Sequence, residues 1–134
     1  KKTYYFQEVI MRVIDDKISA MIAKGLKGAK FDRKLSKRDR VVSDGHGKVR
    51  VILWNTEIAV LDAQTDEIIV KNGGFESVTT KSRINAMLSE WAQGNPGISQ
   101  RKWVWYIDEV CPLTRDRKSK EFQGVAAFPL KVWK

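Results

Sequence analysis

The chain has 134 residues, of which 43% are hydrophobic and 31% charged, and it carries a net charge of +9. That balance is typical of a single soluble globular domain and excludes disordered, collagenous and disulfide-built classes. With a single cysteine, a single histidine, no signal-like N-terminus and no apolar run near the roughly 20 residues of a membrane span, we expect a reducing cytosol and no membrane contact.

The first third of the chain predicts one helix followed by a basic connection. Apolar residues spaced three to four apart predict an amphipathic helix from about Tyr4 to Lys24, ended by Gly25 and Gly28. The basic segment Lys27–Arg40 is interpreted as a loop or a short basic helix, and Asp44-Gly45-His46-Gly47 is a turn signal. The single domain, 1–134, is therefore expected to hold a basic connection at about 27–47.

The rest of the chain alternates strand and helix signals. Segments 48–54, 57–62 and 67–71 predict a three-stranded antiparallel meander, closed by the turn signal Asn72-Gly73-Gly74. Thr79 or Thr80 is expected to cap a second helix whose inward residues are Ile84, Met87, Leu88 and Trp91. Two β segments, 98–108 and 121–133, flank a charged loop at 111–120. The predicted fold is α+β: a helix, a three-stranded antiparallel meander, a helix and two further strands.

Two basic runs supply candidate nucleic-acid-binding residues, because Lys and Arg replace the counterions of phosphates. Residues 1–50 hold fourteen basic and six acidic side chains, and residues 101–134 hold eight and four. A merely solvated charged face is the ordinary alternative for each run. The candidates are Lys27, Lys30, Arg33, Lys34, Lys37, Arg38, Arg40, Arg115, Arg117 and Lys118.

Two shorter segments add candidates of a different kind. Thr79-Thr80-Lys81-Ser82-Arg83 begins the second helix, where unpaired N–H groups and the positive end of the helix dipole attract phosphate. Lys81 and Arg83 are expected to face solvent there, and an ordinary N-cap is the alternative. Arg101 and Lys102 precede Trp103 and Trp105, which suit base stacking, although two tryptophans on one strand face more often build a core.

Catalytic constellations are weak in this sequence. Asp62, Glu67 and Lys71 have poor spacing for a metal site, His46 lies in a tight turn without a second histidine, and Cys111 has no histidine near it along the chain. We therefore expect no enzyme activity, no cofactor and no metal site.

Three segments carry a family resemblance: Trp54-Asn55-Thr56-Glu57-Ile58-Ala59, residues 72–85, and Gln100-Arg101-Lys102-Trp103-Val104-Trp105-Tyr106. They resemble small tailed-phage proteins of unassigned function that carry N-T-x-I-A, G-G-aromatic-x-T-x-T-T-K-x-R-I-N and Q-x-K-x-x-W-Y elements. Ser77 stands where that pattern usually has threonine, and residues 1–47 lie outside the resemblance. The resemblance implies a phage origin and the bacterial host cytoplasm, and it brings no activity or catalytic residues.

Three functions remain as hypotheses. The first is a phage accessory protein that binds nucleic acid, DNA or RNA, non-catalytically through its basic surfaces. The second is a protein-interaction module, an inhibitor or modulator of a host enzyme, whose basic face binds an acidic host protein. The third is a metal-dependent nuclease. Attraction to phosphates and to carboxylates uses the same side chains, so the sequence leaves the first two open.

Overall fold

The computed structural model describes the backbone of residues 2–74, 76–111 and 113–131, and the side chains from residue 13 onward. Two helices and nine strands follow one another in these residues. They are α1 Lys2–Leu26, β1 Lys30–Lys34, β2 Asp39–Asp44, β3 Lys48–Leu53, β4 Thr56–Asp62, β5 Glu67–Lys71, α2 Val78–Trp91, β6 Gly97–Arg101, β7 Val104–Val110, β8 Arg117–Glu121 and β9 Val125–Pro129.

The strands form two antiparallel sheets. The large sheet has six strands in the order β1-β2-β3-β4-β5-β9, and the small sheet has three in the order β6-β7-β8. The predicted meander segments are β3, β4 and β5, but they form the middle of the larger sheet. The predicted α+β fold with a three-stranded meander and two further strands is therefore wrong, because the described residues are mainly β structure.

The strands that the sequence interpretation missed lie at or near sheet edges. Few side chains are buried there, so apolar and polar residues show little alternation along the strand. β1 has one half-buried residue, Phe31, and β8 is exposed throughout. In β2 the buried positions include the polar residues Asp39 and Ser43, which hide the alternation of the strand. The expected basic connection at 27–47 is instead the β1–β2 hairpin with its flanking turns, and the expected charged loop at 111–120 holds most of β8.

The first helix occupies the predicted segment, but its two glycines have different roles. Gly25 lies inside α1, and a Cβ there would collide with Val49 Cγ2, so glycine allows the helix to pack directly on β3. Gly28 follows the helix with a φ of 107°, a conformation that glycine adopts without a steric penalty. The helix therefore ends at Leu26, just before Gly28, and the prediction that Gly25 also ends it is wrong.

One hydrophobic core lies between the inner face of the large sheet, the two helices and the small sheet. The four inward residues predicted for α2 are all buried, which confirms that part of the pattern. Trp105 from β7 contacts Phe122, with ring centroids 5.9 Å apart, and ties the small sheet into the core. Neither helix, among the residues described, is long and apolar enough to cross a membrane.

Candidate nucleic-acid interface

The hairpin between β3 and β4 has a tryptophan at its tip. Leu53 pairs with Thr56, which leaves Trp54 and Asn55 as a two-residue loop. Their φ angles are 52° and 63°. Positive φ at both loop positions is the signature of a type I′ turn, which Asn-Gly and related sequences normally supply.

The hairpin between β6 and β7 repeats this geometry in the small sheet. Arg101 pairs with Val104, and the loop residues Lys102 and Trp103 have φ angles of 50° and 71°. Neither loop contains glycine. Two type I′ turns among the described residues therefore each carry a tryptophan in the left-handed region.

Both of these tryptophans point into solvent. Trp54 is 64% exposed and Trp103 is 86% exposed, whereas Trp91 and Trp105 are buried in the core. A bulky residue in a sparsely populated backbone region costs roughly 1–3 kcal/mol, and an exposed indole recovers little of that by burial. Two large aromatic side chains thus occupy turn positions at which Asn or Gly would give a more stable fold. Strained residues of this kind cluster at functional sites, so the pattern indicates a function for both tryptophans.

The first turn of α2 contacts both hairpins. Thr79 and Thr80 line a cavity of about 460 Å³ together with Trp54 at the β3–β4 tip. Lys81 Nζ donates a hydrogen bond of 3.3 Å to Gln100 Oε1, two residues before the loop of the other hairpin. The two tryptophan tips therefore flank the beginning of one helix.

The loop between β1 and β2 lies at this same end of the molecule. The backbone N–H of Trp54 donates a hydrogen bond of 2.8 Å to the carbonyl oxygen of Arg38. Ser36 Oγ shapes the loop, because it accepts the Arg38 N–H at 3.2 Å and donates to the Asp39 carboxylate at 2.7 Å. The loop carries the exposed Lys37. We name the residues gathered here the tryptophan surface: Lys34, Lys37, Arg38, Trp54, Lys81, Lys102 and Trp103.

The N-cap of α2 differs from the predicted one. Ser77 Oγ accepts the Thr80 N–H at 3.1 Å, and Ser77 has an extended backbone. Thr80 is buried in the first turn, where its hydroxyl lies 2.9 Å from Ser77 Oγ. The prediction that Thr79 or Thr80 caps the helix is wrong, since the chain already enters the helix at Val78.

Arg83 is the main correction among the predicted site residues. The sequence predicts it in solvent as a phosphate ligand, but it is only 1% exposed. Its Nε donates to Asp39 Oδ1 at 2.9 Å and its Nη1 to Asp15 Oδ1 at 3.1 Å. The helical repeat explains the burial, because Arg83 follows the buried Thr80 by three residues and shares its face.

Arg83, Asp15 and Asp39 form a buried ion group, and its environment changes the pKa of Asp15. Burial raises the pKa of Asp15 above its ordinary value, against the lowering effect of the Arg83 guanidinium. Asp39 is buried and also accepts from Ser36, so the group links α1, α2 and the loop beneath the tryptophan surface. Arg83 therefore supports the site from inside and is not part of its surface.

Other basic candidates from the first run lie at the opposite end of the β1–β2 hairpin, on its edge strand or in an ion pair. Lys30 pairs with Asp44 at the opposite end of the β1–β2 hairpin, and Lys27 lies in the turn after α1 at that end. Arg33 is exposed on the edge strand β1. Arg40 donates from Nε to Asp32 Oδ1 at 2.7 Å, which lowers the pKa of that carboxyl group.

The second basic run is also distant from the two tips. Trp103 precedes the first residue of β7, whereas Arg117 pairs with Val110, the last residue of that strand. Arg115 and Lys118 are close to Arg117 in the chain and lie at the same end. Arg101 is close to the tip, with its guanidinium carbon 4.2 Å from the centroid of the Tyr106 ring. The structure thus brings only part of the predicted basic set together.

The tryptophans themselves were only partly predictable. The sequence places Trp103 and Trp105 on one face of a single strand, but segment 98–108 is a hairpin, with Trp105 in the core and Trp103 in the turn. Trp54 is a site residue that the sequence interpretation missed, because it extends the strand through residue 54. Loops of Trp-Asn and Lys-Trp lack the glycine that normally marks a type I′ turn.

The catalytic candidates do not form a metal site. Across residues 2–74, 76–111 and 113–131, no group of three or more His, Cys, Asp and Glu is placed to hold a cation. Asp62 and Glu67 are cross-strand partners, but Asp62 Oδ1 accepts the Gln64 N–H at 2.9 Å and so shapes a turn. His46 lies exposed in the predicted turn. Cys111 is hydrogen-bonded by the Thr114 side chain, which lowers the pKa of its thiol.

A known protein family matches most of the chain. The model of a family described as the Kyanoviridae Gp96 protein matches residues 11–128, a range that includes the entire tryptophan surface. No curated protein matches the chain, and no solved structure matches it.

Proposed function

We propose that this chain, which belongs to the Kyanoviridae Gp96 protein family of tailed phages, binds nucleic acid without catalysis. The proposed binding site is the tryptophan surface, acting in the cytoplasm of the bacterial host. The observation that carries the proposal is the convergence of two exposed indoles with Lys and Arg side chains from three separate elements.

The charge on this surface suits phosphate. Lys37 comes from the β1–β2 loop, Lys81 from the first turn of α2 and Lys102 from the β6–β7 tip. Lys81 also lies at the positive end of a helix dipole, where an anion is favoured. Because each cation belongs to a different element, the surface can follow an extended polyanion and not only a single phosphate.

Nearby acids do little to cancel this charge. Glu57, close to the β3–β4 tip, is already bound by Arg50 and Lys71. Asp39 is buried and paired with Arg83 and, at 3.8 Å, with Arg38. Glu76 is the exposed carboxylate just before α2, and it lowers the local potential without contacting Lys81 in the described structure.

A charge-reversal experiment tests the proposal with a matched control. Lys37→Glu, Lys81→Glu and Lys102→Glu are combined in one variant, and Lys27→Glu, Lys30→Glu and Lys118→Glu in another with the same net charge. Affinity for a dye-labelled oligonucleotide is measured by fluorescence anisotropy from about 50 to 200 mM salt. The first variant should reduce the slope of log K against log salt by about 2, since each lost phosphate contact removes roughly 0.7–0.9.

Three results would contradict the proposal. The wild type could show no affinity at about 50 mM salt, where phosphate contacts are strongest. The two variants could lose affinity equally, which would indicate general charge attraction and no localised site. Binding of an acidic host protein that persists after nuclease treatment, and is lost only in the first variant, would favour the protein-interaction alternative.

A further inference from the structure

We infer that the ligand class of the tryptophan surface is single-stranded nucleic acid, with unpaired bases stacked on Trp54 and Trp103. This inference rests on the nucleic-acid binding proposed above and adds which form of nucleic acid is bound. It comes from the position of the indoles and not from the charge, because charge alone attracts duplex and single strand alike.

The two indoles are held on short, rigid supports. Each belongs to a two-residue loop whose flanking residues are paired across the hairpin, Leu53 with Thr56 and Arg101 with Val104. The backbone of Trp54 is further fixed by the hydrogen bond of 2.8 Å from its N–H to the Arg38 carbonyl oxygen. Backbone that is already ordered loses little conformational entropy on binding, so a flat aromatic face at such a tip suits a planar ligand.

Unpaired bases are the planar groups that a nucleic acid offers to an exposed indole. In a duplex the base faces are stacked on each other, whereas in a single strand they are accessible, and stacking tolerates any base because every base has a π-face. The lysines between the two tips match the phosphates that connect such bases. Trp54 and Trp103 thus supply stacking faces for bases at the two tips, and Lys81 and Lys102 supply contacts for phosphates beside them.

A second stacked pair continues this arrangement on the small sheet. Arg101 lies over the Tyr106 ring at 4.2 Å and is adjacent in sequence to the β6–β7 loop. A guanidinium plane held against an aromatic ring is itself a stacking surface for a base. The path from Trp54 past Trp103 therefore extends toward the β7–β8 side of the small sheet.

The surroundings of the indoles favour nucleic acid over a protein partner. The centre of a protein–protein interface is depleted in lysine and contains contiguous apolar residues. Here the two tryptophans stand on separate hairpins, and Lys102 shares the loop of Trp103. A protein partner is therefore an outcome of the test and not the inference.

The experiment replaces each indole by the residue that its turn position prefers. Trp54→Asn and Trp103→Gly supply the favoured type I′ residues, so the hairpins are kept and misfolding does not explain a loss of binding. Asn55→Gly changes the same loop without removing an indole and is the matched control. The probes are an oligothymidylate and an oligouridylate of about 20 nucleotides and a DNA duplex of the same length.

The expected result is a loss that is specific to the single strand. Each tryptophan variant should bind the oligothymidylate or the oligouridylate about 5- to 150-fold more weakly, the equivalent of roughly 1–3 kcal/mol per stacked base. Duplex affinity and the salt slope should be unchanged, and Asn55→Gly should bind like the wild type. Quenching of tryptophan fluorescence by the oligothymidylate should be smaller in each variant than in the wild type, because one of the two exposed indoles is absent.

The failure of this inference can be distinguished from the failure of the proposed function. If the wild type binds no probe, nucleic-acid binding itself is wrong. If the wild type binds all probes and the tryptophan variants bind them equally well, nucleic-acid binding stands and the stacking role is wrong. Equal losses for duplex and single strand would also overturn the preference for unpaired bases.

Discussion

Two groups of three charged side chains show how differently the same chemistry acts in two regions of this protein. Under the tryptophan surface, Arg83 lies between Asp15 and Asp39, with Arg83 and Asp39 almost completely buried. On the charged face of the large sheet, Glu57 lies between Arg50 and Lys71, all of them partly exposed. The first group has two acids around a base, with the partly exposed Arg38 at its edge, its Nε 3.8 Å from Asp39 Oδ2. The other group has two bases around an acid.

Burial decides how much each of these ion pairs contributes to stability. Removing one partner from a buried pair leaves an uncompensated charge away from water, at a cost of roughly 3–5 kcal/mol. Exposed pairs contribute only about 0–1 kcal/mol, since water and salt screen both charges. The buried group is therefore expected to hold the fold that presents the site, while the exposed group adjusts stability slightly.

The largest expected effect is that of removing the buried guanidinium. Arg83→Ala should reduce the free energy of unfolding by roughly 3–5 kcal/mol, because Asp39 would remain buried with only the partly exposed Arg38, 3.8 Å away, to balance its charge. Urea denaturation followed by circular dichroism measures the change. Lys81→Ala is the matched control on the same helix, and its effect should be only a few tenths of a kcal/mol.

A small loss for Arg83→Ala would contradict this account of the interior. If it matches that of Lys81→Ala, Asp39 must obtain compensation from Arg38, Ser36 or water, and the ion pairs of Arg83 do not stabilise the helix start. An apolar replacement of all three members should recover much of the loss, because well-packed hydrophobic residues often replace a buried ion group without net cost.

The next effect separates the two acids of the buried group. Asp39→Asn should cost roughly 3 kcal/mol, because Asp39 is buried and accepts from both Arg83 and Ser36. Asp15→Asn should cost only about 1 kcal/mol, since burial already disfavours the charged form of Asp15 and raises its pKa. The ratio of the two losses in the same urea assay checks the assignment, and equal losses would show that Asp15 is as essential as Asp39.

The buried group also shows where prediction from sequence stops. Periodicity correctly identified α1, the inward residues of α2 and the middle strands of the large sheet, since their apolar residues repeat at helical or strand spacing. The same periodicity places Arg83 on the inward face of α2. A basic residue is normally assigned to the surface, however, and its two acidic partners lie 44 and 68 residues away.

The candidate site was predictable in its residue types and not in its arrangement. Lys81, Lys102 and Trp103 are candidates that follow from charge and aromatic content. Their convergence with Trp54 depends on strand order, on a missed β1–β2 hairpin and on two turns without glycine. Long-range pairing of this kind leaves no local pattern in a single sequence, so the site emerges only from the fold.

A smaller effect is expected from the exposed group. Glu57→Gln should lower the free energy of unfolding by less than about 1 kcal/mol at neutral pH, because both of its partners are partly exposed. In about 1 M NaCl, where the Debye length falls to roughly 3 Å, most of that difference should disappear. A difference that persists in high salt would mean that Glu57 acts through packing or specific hydrogen bonds and not through screened charge.

The smallest effect is the pH dependence of the same contribution. Partial burial raises the pKa of Glu57, but the hydrogen bonds from Lys71 and Arg50 outweigh it and hold the pKa below the ordinary value of 4.5. A carboxyl group with a lowered pKa in the folded state stabilises the fold above its ordinary pKa, and this stabilisation is lost as the pH falls through the lowered value. Urea denaturation of the wild type and Glu57→Gln at a series of pH values should show a constant small difference down to about pH 5, which then decreases toward zero in more acidic solution. The other carboxyl groups with lowered pKa values, such as Asp32 and Asp108, titrate in both proteins and cancel in the comparison. A difference that grows as the pH falls would reverse the sign and show that the folded state favours the protonated form of Glu57.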